Sequence, residues 1–459
     1  MADSRQPIRA IRGTRDILPP DSALFQFVED QAREVFRLYN FAEIRTPIFE
    51  DTALFSRSVG EETDIVGKEM FTWEDNSALW KYLDETRIAK RSGKPYAEYF
   101  NTLADLLDIQ KQSLTLRPEN TAGVVRAYIE HKLGDKGLLQ KLYYIGPQFR
   151  RERPQKGRYR QFSQIGAETI GPPSAGSESP ARDAEIIELL TVLLKRVGIK
   201  QWALQLNSVG CAADRARYND ALRAALKDVA PKMCADCQRR AVTNPLRVLD
   251  CKVPEDQPII EKLPRIGAYL DEGCRQHFDE VQKILRATGV DFTINERMVR
   301  GLDYYTRTTF EFTHGGLGAQ SALLGGGRYD GLSEALGGPK APGIGFALGL
   351  DRFVLAIQAE NPEKTFGASP AAYLAPLGAG MNAEAAKLAG ELRAQGIAVE
   401  VGDETFRLKK AFETAEKLGI LHVVIVGENE VKSGDFAVKN IQSGEQVSVA
   451  RNALAARLK

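Results

Sequence analysis

The chain has 459 residues, of which 43% are hydrophobic and 27% are charged, a composition typical of a folded globular protein with two or three domains. Its 62 lysines and arginines almost balance its 61 aspartates and glutamates, which excludes a general electrostatic attraction to nucleic acid, so any anionic partner must meet a local patch. The opening stretch MADSRQPIRA lacks the apolar core of a signal peptide, and no stretch reaches the roughly 18 apolar residues that span a bilayer. We therefore expect a cytoplasmic protein without a membrane partner.

The first predicted elements are a helix and an interrupted strand. Apolar residues recur with helical periodicity over residues 23–38. The stretch FAEIRTPIFED, residues 41–51, is typical of a strand interrupted by Pro47. Because proline cannot donate a hydrogen bond to a neighbouring strand, this strand is predicted at an edge or an interface.

A long β-hairpin with a basic tip is predicted over residues 140–171. The strand-like runs KLYYIGPQFR and YRQFSQIGAETIG meet at RRERPQKGRYR, residues 150–160. Six of these eleven residues are basic, and only Glu152 opposes them. A charge run usually forms a solvated surface of mixed sign, whereas this run is nearly of one sign and is a candidate for anion binding.

The middle of the chain is predicted to be helical. After the linker GPPSAGSESP come a helix over 182–197 and the strand WALQLNSVG. Residues 211–295 have a helical pattern and hold all five cysteines, so we interpret them as a helical insertion. The pair Cys234 and Cys237 could bind zinc together with Cys251 and Cys274, but a second Cys-x-x-Cys is missing, and reduced cytosolic thiols are the alternative.

Glycine-rich strands follow the insertion. Strands are predicted over 292–295 and 304–312, and the adjacent Tyr304 and Tyr305 are expected to point to opposite faces of the second one. ALLGGGRYDGL contains a further strand, and in APGIGFALGLDRFVLAI a strand leads into a helix that begins near Gly349.

The last part of the chain is predicted to be a small α/β domain. Residues 360–370 form a linker, after which AAYLAPLG, AVEVG and HVVIVG alternate with helical segments over 383–395 and 405–418. This order of elements is that of βαβ units.

Arginines beside glycines or at strand ends are the remaining candidates for chemistry. The sequence has no P-loop, GIGFALG has the wrong spacing for a dinucleotide fingerprint, and none of the four histidines lies in a hydrolase motif. Each arginine alone could pair with a carboxylate. Together on glycine-rich backbone they predict a site for phosphate or carboxylate groups, formed by Arg150, Arg300, Arg328 and Arg352.

Six stretches resemble class II aminoacyl-tRNA synthetases, and specifically the histidyl-tRNA synthetase family. IRGTRDILP resembles that family's opening, and NFAEIRTPIFE, FRRERPQKGRYRQFSQIGAETIG and GIGFALGLDRF resemble motifs 1, 2 and 3 of the class. RGLDYY and GGGRYDGL resemble the two signatures of the histidine enzymes. The resemblance implies an α/β multidomain fold. A class II antiparallel sheet with flanking helices and the helical insertion forms a catalytic domain over 1–365, and an α/β anticodon-binding domain follows over 368–459.

This resemblance implies activation of L-histidine with ATP, with magnesium, and transfer of the histidyl group to the 3′ end of histidine tRNA by a homodimer. By resemblance, Arg150 holds the α-phosphate and Arg352 the γ-phosphate. Arg300 bridges the substrate carboxylate and the α-phosphate, where related enzymes place a metal ion, so no protein-bound metal is expected there. The alternative is a non-catalytic, histidine-sensing regulatory paralogue of ATP phosphoribosyltransferase, which typically lacks the C-terminal domain.

Further site residues are implied by the same resemblance. Arg158 and Tyr159 are expected to face ATP. Glu168 and Tyr305 are expected at the imidazole nitrogens, Tyr304 beside them has an alternative role in shaping the turn, and Gln164 is expected near the amino or carboxylate end. The histidine-binding set is Glu119, Asn120, Thr121, Gln164, Glu168, Arg300, Tyr304, Tyr305 and Tyr329.

Two regions depart from the family or leave a choice open. Residues 76–113 replace a short turn and either cover the active site or extend a surface hairpin. Asn120 stands where LRPEGT has glycine, and asparagine tolerates a positive φ. In the C-terminal domain, eleven basic and eleven acidic residues cancel, so FRLKKAF is the candidate RNA contact, with a solubility role as the alternative.

Overall fold

The computed structural model describes residues 7–60, 63, 65–75, 112–299, 301–318, 321–367 and 369–459. The chain divides into two compact units, Met1–Thr365 and Phe366–Lys459. Arg300 and most of the insertion 76–113 lie outside the described residues. None of the described helices is long and apolar enough to cross a bilayer.

The first unit combines helices with two β-sheets. Its described helices are α1 (Asp21–Leu38), α2 (Thr52–Val59), α3 (Thr121–Glu130), α4 (Pro180–Val197), α5 (Ala212–Leu226), α6 (Ala235–Thr243), α7 (Gln257–Ile260), α8 (Glu272–Ala287), α9 (Leu332–Ala335) and α10 (Leu350–Glu360). Its described strands are β1 (Ala42–Glu43), β2 (Phe49–Asp51), β3 (Phe71–Asp75), β4 (Gln112–Leu116), β5 (Gln140–Phe149), β6 (Gln161–Ile170), β7 (Trp202–Ser208), β8 (Thr293–Ile294), β9 (Thr306–His314), β10 (Ala322–Arg328) and β11 (Gly343–Gly349).

Eight of these strands form one sheet in the order β1-β5-β6-β11-β10-β9-β7-β8. The pairs β1–β5 and β7–β8 are parallel, and the other neighbours are antiparallel. A separate antiparallel sheet has the order β2-β4-β3. The predicted antiparallel sheet with flanking helices is therefore confirmed.

Helix α4 shows how the sequence builds the core of this unit. Ser179 caps its first turn by accepting the backbone N–H of Ala181, and Gly198 ends it in the left-handed conformation. Between these caps, successive turns bury Ile186, Leu190 and Leu194 completely. The helix packs beside α1, α8 and β11, so it covers one face of the large sheet.

The predicted helical insertion is confirmed over most of its length. It contains helices α5 to α8, joined by 3₁₀ turns, and only the short strand β8 departs from the helical pattern. Its core is separate and small, and it includes Cys237 and Cys251.

The second unit is an α/β domain with helices on both faces of its sheet. Its described elements are strands β12 (Ala372–Leu377), β13 (Val399–Val401), β14 (His422–Gly427), β15 (Asp435–Asn440) and β16 (Gln446–Ala450) and helices α11 (Met381–Ala394), α12 (Leu408–Lys417), α13 (Glu428–Ser433) and α14 (Leu454–Leu458). The sheet order is β13-β12-β14-β15-β16. The adjacent residues Tyr373 and Leu374 of β12 point to opposite faces of the sheet, where Leu374 packs with α11 and Tyr373 with α12. Strands β15 and β16 were not predicted from the sequence.

Candidate active site

A cavity of about 210 Å³ lies against strands β6, β10 and β11 in the first unit. Distant parts of the chain meet there: the turn before α3, the β5–β6 hairpin, the turn before β9, and the first turn of α10. Eleven residues that the sequence predicted line it: Glu119, Thr121, Arg150, Arg158, Tyr159, Gln164, Glu168, Tyr304, Tyr305, Tyr329 and Arg352.

Glycines on the central strands make room for the side chains of this cavity. Glu168 pairs with Gly345 across β6 and β11, and Gly345 pairs with Gly327 on β10. A Cβ atom on Gly345 would lie 1.7 Å from Oε2 of Glu168, and one on Gly327 would lie 2.8 Å from the ring of Tyr305. These positions therefore require glycine because other side chains occupy the space above the strand.

Glu168 is the fully buried carboxyl of the cavity. Thr121 Oγ1 donates to its Oε1 and the Tyr329 hydroxyl to its Oε2, both at 2.7 Å. Burial raises the pKa of Glu168 to about 8, although the two hydroxyls oppose that shift by favouring the ionised form. The carboxyl is thus mostly protonated near neutral pH and sits where it can donate or accept a hydrogen bond.

The turn between β4 and α3 supplies a second buried carboxyl. Glu119 accepts the backbone N–H groups of Thr121 at 2.7 Å and Ala122 at 3.0 Å, and so caps the first turn of α3. Burial raises the pKa of Glu119, while these backbone hydrogen bonds act in the opposite direction. Asn120 is not part of the cavity wall; its Oδ1 accepts a hydrogen bond from Thr46 Oγ1 at 2.6 Å, and its φ of −119° requires no positive-φ conformation.

Gln164 offers an unused hydrogen-bond acceptor. Its side chain is buried and lines the cavity, and among the described residues its Oε1 atom has no hydrogen-bond partner. A buried acceptor without a partner is costly, so this oxygen is poised for a ligand with an N–H or O–H group.

Two arginines of the hairpin and one of α10 bring positive charge to the same cavity. Arg150 Nε donates to the Pro118 carbonyl at 2.9 Å, and its guanidinium lies 5.4 Å from the Phe162 ring centroid. Arg158 pairs with Glu152 at 3.1 Å. Arg352 Nη1 donates to the Ala322 carbonyl at 2.9 Å.

Burial, followed by repulsion from Arg158, lowers the pKa of Arg352. An arginine that is held in an unfavourable field gains from an anion placed between it and the neighbouring cation. The predicted anion-binding character of the hairpin tip is therefore consistent with the geometry.

The adjacent tyrosines differ from the prediction. Strand β9 begins at Thr306, so Tyr304 and Tyr305 lie in the preceding turn and do not alternate across a sheet. Their ring centroids are 4.8 Å apart, and both rings line the cavity. The expectation that they point to opposite faces was wrong, because the alternation rule applies only inside a strand. Tyr329 packs edge-on against Tyr304, with 6.0 Å between centroids.

The prediction that four arginines converge on one ligand is wrong for Arg328. It follows Gly327 on β10, and alternation turns it away from the cavity. Its fully buried guanidinium pairs with the carboxylate of Asp183 and donates to the carbonyl of Ser177 at 2.8 Å. His277 lies 2.8 Å from the same carboxylate, so this group is a buried ionic network in the core. Arg300, the fourth arginine, lies outside the described residues.

The sequence did not predict several residues that line the cavity or contact its wall. Glu152 and Phe162 hold the arginines of the hairpin, and Asp351 lies at the start of α10. Arg15 binds Asp351 at 2.7 Å and stacks 4.6 Å from the Tyr159 ring centroid. Glu152 carried a usable signal as the only acid in a basic run, whereas nothing in the sequence brings Arg15 next to Tyr159.

Comparisons with known proteins match both units. The model described as Histidyl-tRNA synthetase matches residues 95–353, and the one described as Anticodon binding domain matches residues 371–459. The histidine–tRNA ligase of Koribacter versatilis is 64% identical over 448 residues, which cover 98% of this chain and 95% of that protein. The corresponding ligase of Solibacter usitatus is 52% identical over 452 residues, with 98% and 99% coverage. The crystal structure of apo histidyl-tRNA synthetase from S. aureus has a TM-score of 0.75 and 34% identity, and it covers 98% of this chain and 100% of that chain.

Proposed function

This chain belongs to the histidyl-tRNA synthetase family, and we propose that its cavity activates L-histidine with ATP and passes the histidyl group to histidine tRNA. The chain is an ATP-dependent aminoacyl-tRNA ligase. The observation that carries the residue assignments is that a buried carboxyl, Glu168, and two guanidinium groups, Arg150 and Arg352, line one cavity. The regulatory paralogue is not favoured, because the similarity to ligases continues through the C-terminal unit.

The imidazole of histidine is assigned to the end of the cavity at Glu168. Tyr305 offers a second polar group, and Tyr304 and Tyr329 pack around the ring. An apolar side chain of similar size would leave the Glu168 carboxyl buried without a ligand partner. Such a penalty supports selection of histidine over leucine or phenylalanine.

The amino group of histidine is assigned to Glu119, Thr121 and Gln164. The carboxylate of Glu119 is an acceptor that suits an ammonium group, and so is Oε1 of Gln164, which has no partner among the described residues. Asn120 has an indirect role in this proposal, because its contact with Thr46 fixes the turn that carries its two neighbours.

The phosphates of ATP are assigned to the arginines. Arg150 contacts the α-phosphate, Arg352 the γ-phosphate, and Arg158 and Tyr159 line the ATP side of the cavity. A histidine carboxylate oxygen attacks the α-phosphorus, a new P–O bond forms, and the bond to the leaving pyrophosphate breaks. Fixed guanidinium groups stabilise the charge of that transition state without reorganising. Arg300 is proposed to bridge carboxylate and α-phosphate on the strength of RGLDYY alone.

Magnesium is proposed to enter with the phosphates of ATP. Glu119 and Glu168 fit poorly as its ligands, because backbone N–H groups or hydroxyls already bind their carboxylate oxygens. When bound, magnesium neutralises phosphate charge.

The C-terminal unit is proposed to bind the tRNA anticodon. Helix α12 begins at Leu408, so Arg407, Lys409 and Lys410 lie at its N-terminus, and all three are exposed beside the exposed Phe406. Cations are unfavourable at that end of a helix dipole, whereas a phosphate there is favourable, which supports an RNA contact.

A cytoplasmic homodimer is proposed for the assembled enzyme. The motif 1 region exposes Ile48 (45%) and Phe49 (54%), and Phe49 contacts the exposed Trp73. An apolar surface of this kind is typical of an interface.

Exchange of labelled pyrophosphate into ATP tests the proposed activation step. We expect exchange that depends on histidine, and no exchange with histidine from folded protein would contradict the proposal. Exchange supported by glycine or threonine instead would change the assigned substrate. Charging of histidine tRNA then tests the transfer step separately.

Arg300→Ala tests the one assigned residue outside the described part of the chain. We expect adenylate formation to slow by about 10²- to 10³-fold while the affinity for ATP changes little, because the assigned contact develops in the transition state. Arg151→Ala is the control, since Arg151 follows Arg150 but does not line the cavity. Equal rates in the Arg300 variant and the parent would remove Arg300 from the mechanism.

A further inference from the structure

Three cysteines and an aspartate of the helical insertion converge into one cluster. The Cys₃Asp cluster consists of Cys234, Cys237, Cys251 and Asp256, whose ligand atoms all lie within 4.8 Å of one another. The fourth member differs from the sequence-based possibility, because Cys274 lies in another group and Asp256 takes its place.

The spacing of these atoms fits a tetrahedral metal site. The Sγ atoms of Cys234 and Cys251 are 3.9 Å apart, and Cys251 Sγ is 3.3 Å from Oδ2 of Asp256. A zinc ion with Zn–S bonds of about 2.3 Å separates two sulfur ligands by roughly 3.8 Å in a tetrahedron. A disulfide needs sulfurs about 2.05 Å apart, so the observed separation matches the metal geometry and not a disulfide.

Two of the sulfurs lie at a helix N-terminus, and a backbone N–H faces the third. Cys234 is the N-cap residue of α6 and Cys237 lies in its first turn, where the positive end of the helix dipole stabilises negative sulfur. Cys251 follows the 3₁₀ turn Pro245–Asp250, and the Val253 N–H donates to its Sγ at 3.4 Å. A backbone donor of this kind orients a metal-bound sulfur.

A buried carboxylate lies among the sulfurs of the cluster. Cys237 is fully buried, Cys251 and Asp256 are nearly so, and apolar residues of the insertion core surround the sulfurs. The Cys234 N–H donates to both oxygens of the Asp256 carboxylate, at 3.1 and 3.2 Å, but within the described part of the chain no lysine or arginine pairs with it. A divalent cation would satisfy the buried carboxylate and displace the thiol protons together.

We propose that the Cys₃Asp cluster binds one Zn²⁺ ion as a structural site of the insertion. Soft thiolate ligands select zinc over magnesium or calcium, and four protein ligands leave no open position for catalysis. The ligands come from α6, from the end of the 3₁₀ turn after it, and from the turn before α7. One ion thereby joins three short elements that share a small core.

A second cluster in the insertion provides the contrast. Cys211, Asp214, Asp271 and Cys274 also lie close together. Asp214 and Asp271 accept backbone N–H groups, from Cys211 and Cys274, as Asp256 does from Cys234, but Asp214 also pairs with the cation of Arg217. Helix capping and an ion pair therefore account for this group, and it carries only two thiols.

Metal analysis of the full-length chain, purified without chelator, tests the proposal. We expect about one zinc ion per chain by plasma mass spectrometry. Cys234→Ser should lower that content at least about tenfold, because a hydroxyl is a poor substitute for a thiolate. Cys211→Ser is the matched control: serine is a good N-cap residue, and this variant should keep its zinc. Equal zinc in the Cys234 variant and the parent would overturn the assignment.

Titration of the unmodified protein keeps the test independent of any folding defect in the variant. Protein treated with chelator and reductant, and shown to be folded by circular dichroism, is titrated with Co²⁺. We expect saturation at about one ion per chain with the absorption bands of tetrahedral thiolate-bound cobalt. Folded protein that develops no such bands, and that retains no zinc after incubation with Zn²⁺ and desalting, would refute the site.

Discussion

Glu168→Gln should remove a pH-dependent cost from the folded state. The pKa of Glu168 is about 8 in the folded protein, against its ordinary value of 4.5, because the side chain is fully buried. Between these two values the folded state holds a proton that the unfolded state has released. Stability therefore falls as pH rises through this window, and it levels off once the folded carboxyl also ionises.

The magnitude follows from the separation of the two pKa values. Each pH unit above the ordinary value of 4.5 costs about 1.4 kcal/mol, so the cost is about 3 kcal/mol at pH 7 and about 5 kcal/mol above pH 8. Glutamine cannot ionise and has no such cost. It also loses one acceptor for the hydroxyls of Thr121 and Tyr329, but that loss is constant with pH. The slope of the stability difference against pH is thus the diagnostic quantity.

Calorimetric unfolding of the parent and the variant from about pH 5 to about pH 8 measures that slope. The advantage of the variant should grow with pH over this range. Tyr329→Phe is the companion variant: it keeps the carboxyl but removes a hydroxyl that lowers its pKa, so the decline in stability should continue to higher pH. Parallel curves for parent and Glu168→Gln would refute the reasoning.

Two further changes test the floor of the cavity and the core behind it. Gly345→Ala places a methyl group 1.7 Å from Glu168 Oε2, so the KM for histidine in pyrophosphate exchange should rise at least about tenfold. Gly331→Ala is the control: its methyl group meets no atom within 4 Å, so the KM should stay unchanged. Asp183→Asn removes the fully buried counter-ion of Arg328 and leaves only the carboxylate of Asp330, at 3.0 Å, so it should destabilise the first unit by up to about 3–5 kcal/mol in denaturant unfolding. Burial raises the pKa of Asp183, but Arg328 and His277 outweigh it and lower the value to about 2, so the contribution is present above about pH 4 and is lost as pH falls towards 2. A variant as stable as the parent would show that the network contributes little.

The hairpin and the βαβ domain could be predicted because their signals are local. Strand runs around a basic loop define β5 and β6, and the structure places both strands within two residues of the predicted bounds. The resemblance of RGLDYY and GGGRYDGL to family signatures then predicted that Tyr305 and Tyr329 share one site, and both line the cavity. Periodicity alone would not have done this, because the residues are distant in sequence.

The failures have a common physical cause in tertiary structure. Arg328 looks like Arg352 in sequence, since both stand next to glycine-rich strands, but its position along β10 turns it into the core. Nothing in the sequence indicated Asp256 as a partner of the cysteines, whereas Cys274 was indicated because it is itself a cysteine. Which side chain completes a cluster depends on how the elements of the insertion fold onto one another, and cysteine spacing does not report that.

Hydrogen bonds connect the insertion to one turn of the cavity wall. Arg215 of α5 donates to the Asp303 carbonyl at 3.0 Å, and Asn244 and Arg247 approach Asp303 and Gly301 at 3.5 Å. Tyr304 and Tyr305 of this turn line the cavity. In sequence, Asn244 and Arg247 lie between Cys237 and Cys251 of the Cys₃Asp cluster. An ion that fixes those cysteines would therefore also fix the backbone segment that supports the tyrosines. Because a catalytic site loses rate when its groups are displaced by about 1 Å, a structural ion remote from the substrate can still contribute to catalysis.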